Sequence, residues 1–210
     1  MTERASDAAY EVIRTRILDL RLAPGDVLNE QSLANDISLG RAPVREALAR
    51  LAQDRFLTVI PRRGTKISEL NLEDVLDMFE AREAIQCGVA YIAANKASDS
   101  DLTTLRELVD AADLARASLD SEQFLQADHA VHMFLVHLIR NPLLQDAAER
   151  LLLHSLRFWR WYWTKTMATT EAMMTHAELL GALEDRAPER AEQAMREHLH
   201  ASRQLVQMLF

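Results

Sequence analysis

Residues 40–51 read Gly40-Arg41-Ala42-Pro43-Val44-Arg45-Glu46-Ala47-Leu48-Ala49-Arg50-Leu51. Val44, Ala47, Leu48 and Leu51 recur at i, i+3, i+4 and i+7, the spacing that lays one apolar stripe along a helix. Pro43 fits the first turn, where its missing N–H would have found no intrahelical acceptor. The spacing predicts a helix over 42–54, with Arg41 and Arg45 four residues apart on one flank of the buried face. Upstream, Ile13, Ile17 and Leu20 predict a helix over 8–21 that stops at Ala23-Pro24-Gly25-Asp26. A short helix is expected over 30–37, before a turn at Ser38-Leu39-Gly40. Downstream, Phe56-Leu57-Thr58-Val59-Ile60 and Thr65-Lys66-Ile67 read as two short strands joined by Pro61-Arg62-Arg63-Gly64. Three helices followed by a basic hairpin is the order of a winged helix-turn-helix.

Charge divides the chain in the same place. The net charge of the 210 residues is −8, but Lys+Arg number 11 against 10 Asp+Glu through Leu70 and 13 against 22 after it. From Arg41 to Lys66 there are seven basic residues and two acidic ones, whereas all seven histidines fall between His129 and His200. A basic contact surface is therefore followed by an acidic, histidine-bearing body. An apolar content of 49% with 27% charged residues excludes a disordered chain, and no apolar run approaches the roughly 20 residues of a membrane span. The opening residues MTERASDAAY are too polar for a signal peptide, and a single cysteine, Cys87, excludes an internal disulfide. These features predict a cytoplasmic protein that does not engage a membrane.

The 42–54 helix suits a major groove about 12 Å wide, its N-terminal residues turned to base edges and phosphates. Arginine fits that task because its planar fork bonds guanine or phosphate in pairs. The expected DNA-binding set is Arg41, Arg45 and Arg50 on the helix with Arg62 and Arg63 at the hairpin tip. A solvated cationic face is the plain alternative; the helix order and the local positive excess weigh against it. The stretch from Gly40 to Leu48, with Leu22-Ala23-Pro24-Gly25 upstream, resembles the GntR family of bacterial transcription regulators. That family usually has Ser-Arg where this chain has Gly40-Arg41, a change expected to cost about 0.5 kcal/mol or less as a helix cap.

Beyond Asn71 the pattern is helical throughout. Helices are expected over 72–95, 101–119, 121–140, 142–168, 170–185 and 188–208, with caps at Ser100, Asp120 and Asn141 and Pro188 in a first turn. Short breaks predict an antiparallel bundle of about six helices. The expected architecture is thus mainly α, with a winged helix-turn-helix at 1–70 and an all-helical domain at 71–210.

Four apolar stripes of that bundle are each interrupted by polar groups. They are Val75, Met78, Arg82, Ile85 and Val89; Leu125, Asp128, His132, Leu135 and Ile139; Met173, His176, Leu180 and Leu183; and Ala191, Ala194, His198, Ala201 and Leu205. Burying such groups singly costs several kcal/mol, so the economical arrangement brings them together. One carboxylate and three imidazoles, Asp128, His132, His176 and His198, suit a divalent transition metal such as zinc, manganese, nickel or iron. For any one histidine a core residue bonded to a carbonyl is the plainer explanation. His129, His137 and His200 fall off the stripes and read as surface. His154, on a line with Leu151 and Phe158, reads as pocket lining or support for a ligand. The aromatic run from Phe158 to Trp163 divides into two faces, Phe158, Trp161 and Tyr162 against Trp159 and Trp163, one expected at a pocket.

This pattern resembles the FCD ligand-binding domain of the FadR branch of the GntR family. The resemblance runs through Phe79-Glu80-Ala81-Arg82, Asp128 with Val131-His132, Asn141-Pro142, His176 and His198. It implies Asp128, His132, His176 and His198 as metal ligands and Arg82 facing the effector, a small organic acid. The chain departs from the family at Gln86, where Glu is common. His154, Phe158 and Tyr162 complete the expected effector site. The expected function is a one-component repressor, a homodimer on a palindromic operator whose affinity answers to a small carboxylate at the metal. The alternatives are a helical-bundle metalloenzyme, disfavoured because no further residue is placed as a base, and a metal-free sensor of organic acids.

Overall fold

The computed structural model describes residues 2–62, 64–118, 120–166, 170 and 173–207. The chain forms two compact units, Met1–Asn71 and Leu72–Phe210.

In the first unit, α1 (Thr2–Leu18) packs on α3 (Arg41–Gln53), with α2 (Glu30–Asp36) against α3 as well. Ala9, Ile13 and Ile17 of α1 and Val44, Ala47 and Leu51 of α3 are fully buried, as a stripe at helical spacing requires. Asn29 caps α2 by accepting from the Ser32 N–H. Gly40 occupies the cap of α3 in extended backbone and offers no side-chain hydrogen bond. The helix predicted over 8–21 begins earlier and ends at Leu18, because Leu20 turns into left-handed backbone ahead of Pro24. A third strand joins the predicted hairpin: β1 (Val27–Leu28), β2 (Leu57–Ile60) and β3 (Gly64–Ile67) form an antiparallel sheet in the order β1-β3-β2. Lys66 faces Val27 on one side and Thr58 on the other. Two residues are too short for a periodicity to mark, which hid β1 from the sequence. Arg63 lies outside the described residues, as do the predicted helix ends at Leu119, Ala168 and Met208.

The second unit contains α4 (Leu72–Lys96), α5 (Asp99–Ala117), α6 (Ser121–Leu138), α7 (Pro142–Lys165), α8 (Ala177–Glu184) and α9 (Pro188–Gln207). α4 packs on α9, α7 and α6, and α6 lies between α5 and α7. Asp120 and Asn141 cap α6 and α7 as the sequence predicts. α5 starts two residues early, because Ser98 rather than Ser100 forms a reciprocal capping box with Asp101. The helix predicted over 170–185 is only the eight residues of α8. Thr170 donates its hydroxyl to the Arg116 carbonyl at 2.7 Å and accepts the Met173 N–H, so a tertiary bond makes a turn where local spacing suggested helix.

Two apolar clusters fill this unit. One gathers Cys87, Val89 and Ala93 of α4 with Val131 and Leu135 of α6, Leu152 of α7 and Met195 and Leu199 of α9. The other gathers Val75 and Phe79, Phe124 and Leu125, Phe158 and Trp159, and Val206 from the same four helices. Along each helix the change from one cluster to the other falls at polar residues, all buried except the partly buried Asp128: Arg82 and Gln86, Asp128 and His132, Ser155, and His198 and Ser202. A polar layer therefore crosses the bundle where the apolar clusters meet.

Candidate metal centre

Asp128 and His132 lie one turn apart on α6, so their side chains share a face. His198 comes from α9. His176 is not inside a helix but is the cap residue of α8, where its ring makes no capping hydrogen bond and is free to turn inward. One ligand atom from each of the four lies within 4.8 Å of all the others. His132 Nε2 is 3.4 Å from His176 Nε2, which is 3.5 Å from Asp128 Oδ1; His132 Nε2 and Asp128 Oδ2 are 4.0 Å apart. Bonds of about 2.0–2.2 Å to a tetrahedral cation separate neighbouring ligand atoms by about 3.4 Å, so small contractions complete such a set.

The electrostatics suit a cation. Asp128 Oδ1 and the Nδ1 atoms of His132 and His198 are buried without a hydrogen-bond partner. Burial pushes the Asp128 carboxyl above its ordinary range, against the pull of His176 and Arg82. Burial also holds His132 and His198 well below the usual imidazole range, reinforced by Arg82 and neighbouring rings. His176 is lowered by burial too, with Asp128 pulling the other way. The imidazoles are therefore neutral at pH 7, the form a metal binds. The donor set of three nitrogens and one carboxylate oxygen fits a borderline divalent ion.

Beside Asp128 and His132 is a cavity of about 10 Å³, lined by these two and by Arg82, His129, Ser155 and Trp159 with three leucines. That is room for about one water. Arg82 is buried; its Nε donates to Gln86 Oε1 at 3.2 Å and its Nη1 to Ser155 Oγ at 2.7 Å. Burial lowers its pKa to about 10.

Of the residues expected around an effector, Arg82 lines this cavity whereas His154, Phe158 and Tyr162 do not. Phe158 and Tyr162 are buried in the aromatic cluster instead, Phe158 edge-on to Phe79 at 6.5 Å and Tyr162 edge-on to Trp159 at 5.0 Å. The opposite aromatic face, through Trp159, reaches the cavity. The structure adds Ser155, Gln86 and His129 to the surroundings of Arg82 and the cavity. Ser155 breaks the apolar line Ala148, Leu152, Trp159 of α7, and Gln86 stands one turn from Arg82; both signals are in the sequence. His129 is half-buried rather than on the surface, its pKa lowered to about 4 by burial and then by Arg82 and Arg160. His137 and His200 are exposed, beside Glu149 and Glu83 respectively.

On the first unit, Arg41 opens α3 and is exposed. Arg45 is two-thirds exposed, with Glu30 at 3.3 Å. Arg50 is committed within the unit: its Nη1 meets Asp7 at 2.5 Å and its guanidinium stacks 4.5 Å over the Tyr10 ring. Arg62 stands exposed on the hairpin in left-handed backbone. Among the described residues no helix is long and apolar enough to cross a membrane.

Comparison with known proteins gives two family matches: the FCD domain over residues 77–201, and the bacterial regulatory proteins of the gntR family over residues 5–67. The chain is 25% identical over 198 residues to the HTH-type transcriptional repressor RspR of Escherichia coli (strain K12), covering 94% of this chain and 87% of that protein. It is 29% identical over 199 residues to the HTH-type transcriptional regulator LutR of Bacillus subtilis (strain 168), covering 85% and 90%. Among solved structures, E. coli McbR/YncC has the same fold, with a TM-score of 0.82 over 98% of each chain at 20% identity.

Proposed function

Because the chain belongs to the gntR family of bacterial transcription regulators and carries an FCD domain, we propose that its second unit senses a small organic acid at a metal site. Acid binding there controls the hold of the first unit on operator DNA. The protein is a DNA-binding regulator, not an enzyme. The observation that carries the sensing role is the convergence of four metal-ligating side chains beside a buried, carboxylate-seeking arginine. A divalent cation held by Asp128, His132, His176 and His198 would supply a Lewis-acidic position for a carboxylate oxygen. Arg82 would orient that carboxylate with paired hydrogen bonds, and Ser155 and Gln86 hold the guanidinium in place.

The cavity's small size supports coupling to helix positions. A cavity of about 10 Å³ cannot take an organic acid without displacement of side chains on α4, α6 and α7. α4 begins five residues after β3, so its displacement acts close to the winged unit along the chain. A ligand shifts the equilibrium only by its differential affinity for the two arrangements.

DNA contact falls to Arg41 and Arg45 at the start of α3 and to Arg62 on the hairpin, with Arg63 next to it in the sequence. Two-fold pairing of chains on a palindromic operator is the arrangement that symmetry favours. Repression is supported by the relative named a transcriptional repressor. The test is a gel shift on operator fragments selected from random DNA, with metal-loaded protein and a panel of organic acids. A change in operator affinity with at least one acid, abolished by His132→Ala, is expected. No change with any acid, or a response that persists in metal-stripped protein, refutes the metal-dependent switch.

A further inference from the structure

Arg82 is a buried cation served only by neutral acceptors, Gln86 Oε1 and Ser155 Oγ, and it forms no ion pair among the described residues. Gln86 is itself buried, and its Nε2 has no acceptor. Asp128 is the one carboxylate among the residues lining the cavity. With a divalent cation on the four ligands, the layer would hold two positive charges from the ion, one from Arg82 and one negative charge from Asp128. The balance is two uncompensated positive charges in a water-poor interior, an arrangement that persists only when anions neutralise it.

We infer that the effector is a small dianion, a dicarboxylate with one carboxylate at the cation and the second at Arg82, and that the neutrality of Gln86 sets this requirement. The inference rests on the metal-dependent function proposed above. A single carboxylate leaves one positive charge buried, whereas two neutralise the layer. The second carboxylate also gives the unpartnered Gln86 Nε2 an acceptor beside the Arg82 fork. Leu125, Leu152 and Trp159 supply apolar walls for the carbons between the two carboxylates.

The experiment compares anions that differ in charge on one skeleton. Full-length protein, stripped with a chelator and reloaded with zinc, is titrated calorimetrically with succinate and its monoamide, succinamate, and with malonate and acetate, at constant ionic strength. The diacids are expected to bind about 30-fold or more tightly than their monoanionic counterparts. In Gln86→Glu the new carboxylate supplies one of the two negative charges, and the ratio is expected to fall to about threefold or less. Arg82→Met, which removes a positive charge, is expected to lower the ratio likewise and covers the case in which Gln86→Glu fails to fold. Equal affinities for diacid and monoamide in the zinc-loaded protein, or no anion binding at all, overturn the dianion assignment. A ratio unchanged in the folded variants overturns the roles given to Gln86 and Arg82. Elemental analysis of the same samples separates the causes: less than one zinc per chain overturns the metal site and the charge count with it.

Discussion

Lowering the pH from 7.5 to 5.5 should destabilise the second unit of the metal-free protein steeply. Burial holds His132 and His198 well below the ordinary imidazole range and His129 at about 4, so in the folded chain these three stay neutral where unfolded imidazoles, with a pKa near 6.5, take up protons. Below that value the unfolded state binds more protons, and stability is lost as pH falls. Each fully neutral imidazole costs about 1.4 kcal/mol at pH 5.5 relative to pH 7.5, so three cost about 4 kcal/mol. Asp128 works the other way: burial raises its carboxyl, so the folded chain takes up that proton at higher pH than the unfolded chain does and offsets part of the loss. A loss of about 4 kcal/mol is a large share of the 5–15 kcal/mol that holds a typical domain. Urea denaturation followed by tryptophan fluorescence reads this unit alone, because Trp159, Trp161 and Trp163 all lie in α7. His198→Leu should recover about a third of the pH-dependent loss. A stability that changes by less than about 1 kcal/mol over this range would show that the three rings do not share a buried, neutral layer.

Three further outcomes follow from the same structure. Elemental analysis should find one divalent ion per chain, and its removal should lower the Tm by roughly 10 °C at ion concentrations about a thousandfold above Kd; His132→Ala or Asp128→Asn should abolish both. Arg45→Ala should weaken operator binding and reduce its salt slope by about one if the side chain meets a phosphate, whereas Arg50→Ala should lower stability by about 1 kcal/mol or less through the exposed Asp7 pair and Tyr10 stacking. Filter binding and melting curves distinguish the two, and a large loss of DNA affinity in Arg50→Ala would contradict its placement. Gly40→Ser should stabilise the first unit by a few tenths of a kcal/mol, because Gly40 has φ −67 and a Cβ there would stand 3.5 Å from Pro43 Cδ, an ordinary contact; a loss of stability in melting would refute the cap argument.

Periodicity made most of the architecture legible, since long stripes such as Val44-Ala47-Leu48-Leu51 have one way to be buried. It failed where a tertiary bond competes with spacing. The Met173-His176-Leu180 stripe names the right inward-facing residues for a wrong reason: the chain turns at Thr170, and His176 reaches the cluster from the cap of α8. The aromatic run on α7 shows the other limit. Phe158, Trp159 and Tyr162 are all buried, so amphipathicity does not decide which of them meets a cavity. Arg50 needed partners 43 residues away, Asp7 among them, to be seen as a structural cation.

The polar layer explains why a sensor can sit inside a packed bundle at all. A continuous apolar core gives one arrangement a large advantage over every other, and no small ligand then changes the balance much. Here α4, α6, α7 and α9 each pass from one apolar cluster to the next through polar side chains, several left with unpartnered atoms. Every unsatisfied group narrows the gap between the packed state and its competitors, and an ion or anion that satisfies them restores it. The advantage of one helix arrangement over another is then of the same order as the binding energy of a small acid. On that argument, replacing His132, His176 and His198 together by leucine should raise the stability of the metal-free bundle while removing its response to metal and acid. A triple variant less stable than the metal-free parent, measured at pH 6 where the imidazoles cost more than at neutral pH, would show that the layer contributes more to holding the bundle than to tuning it.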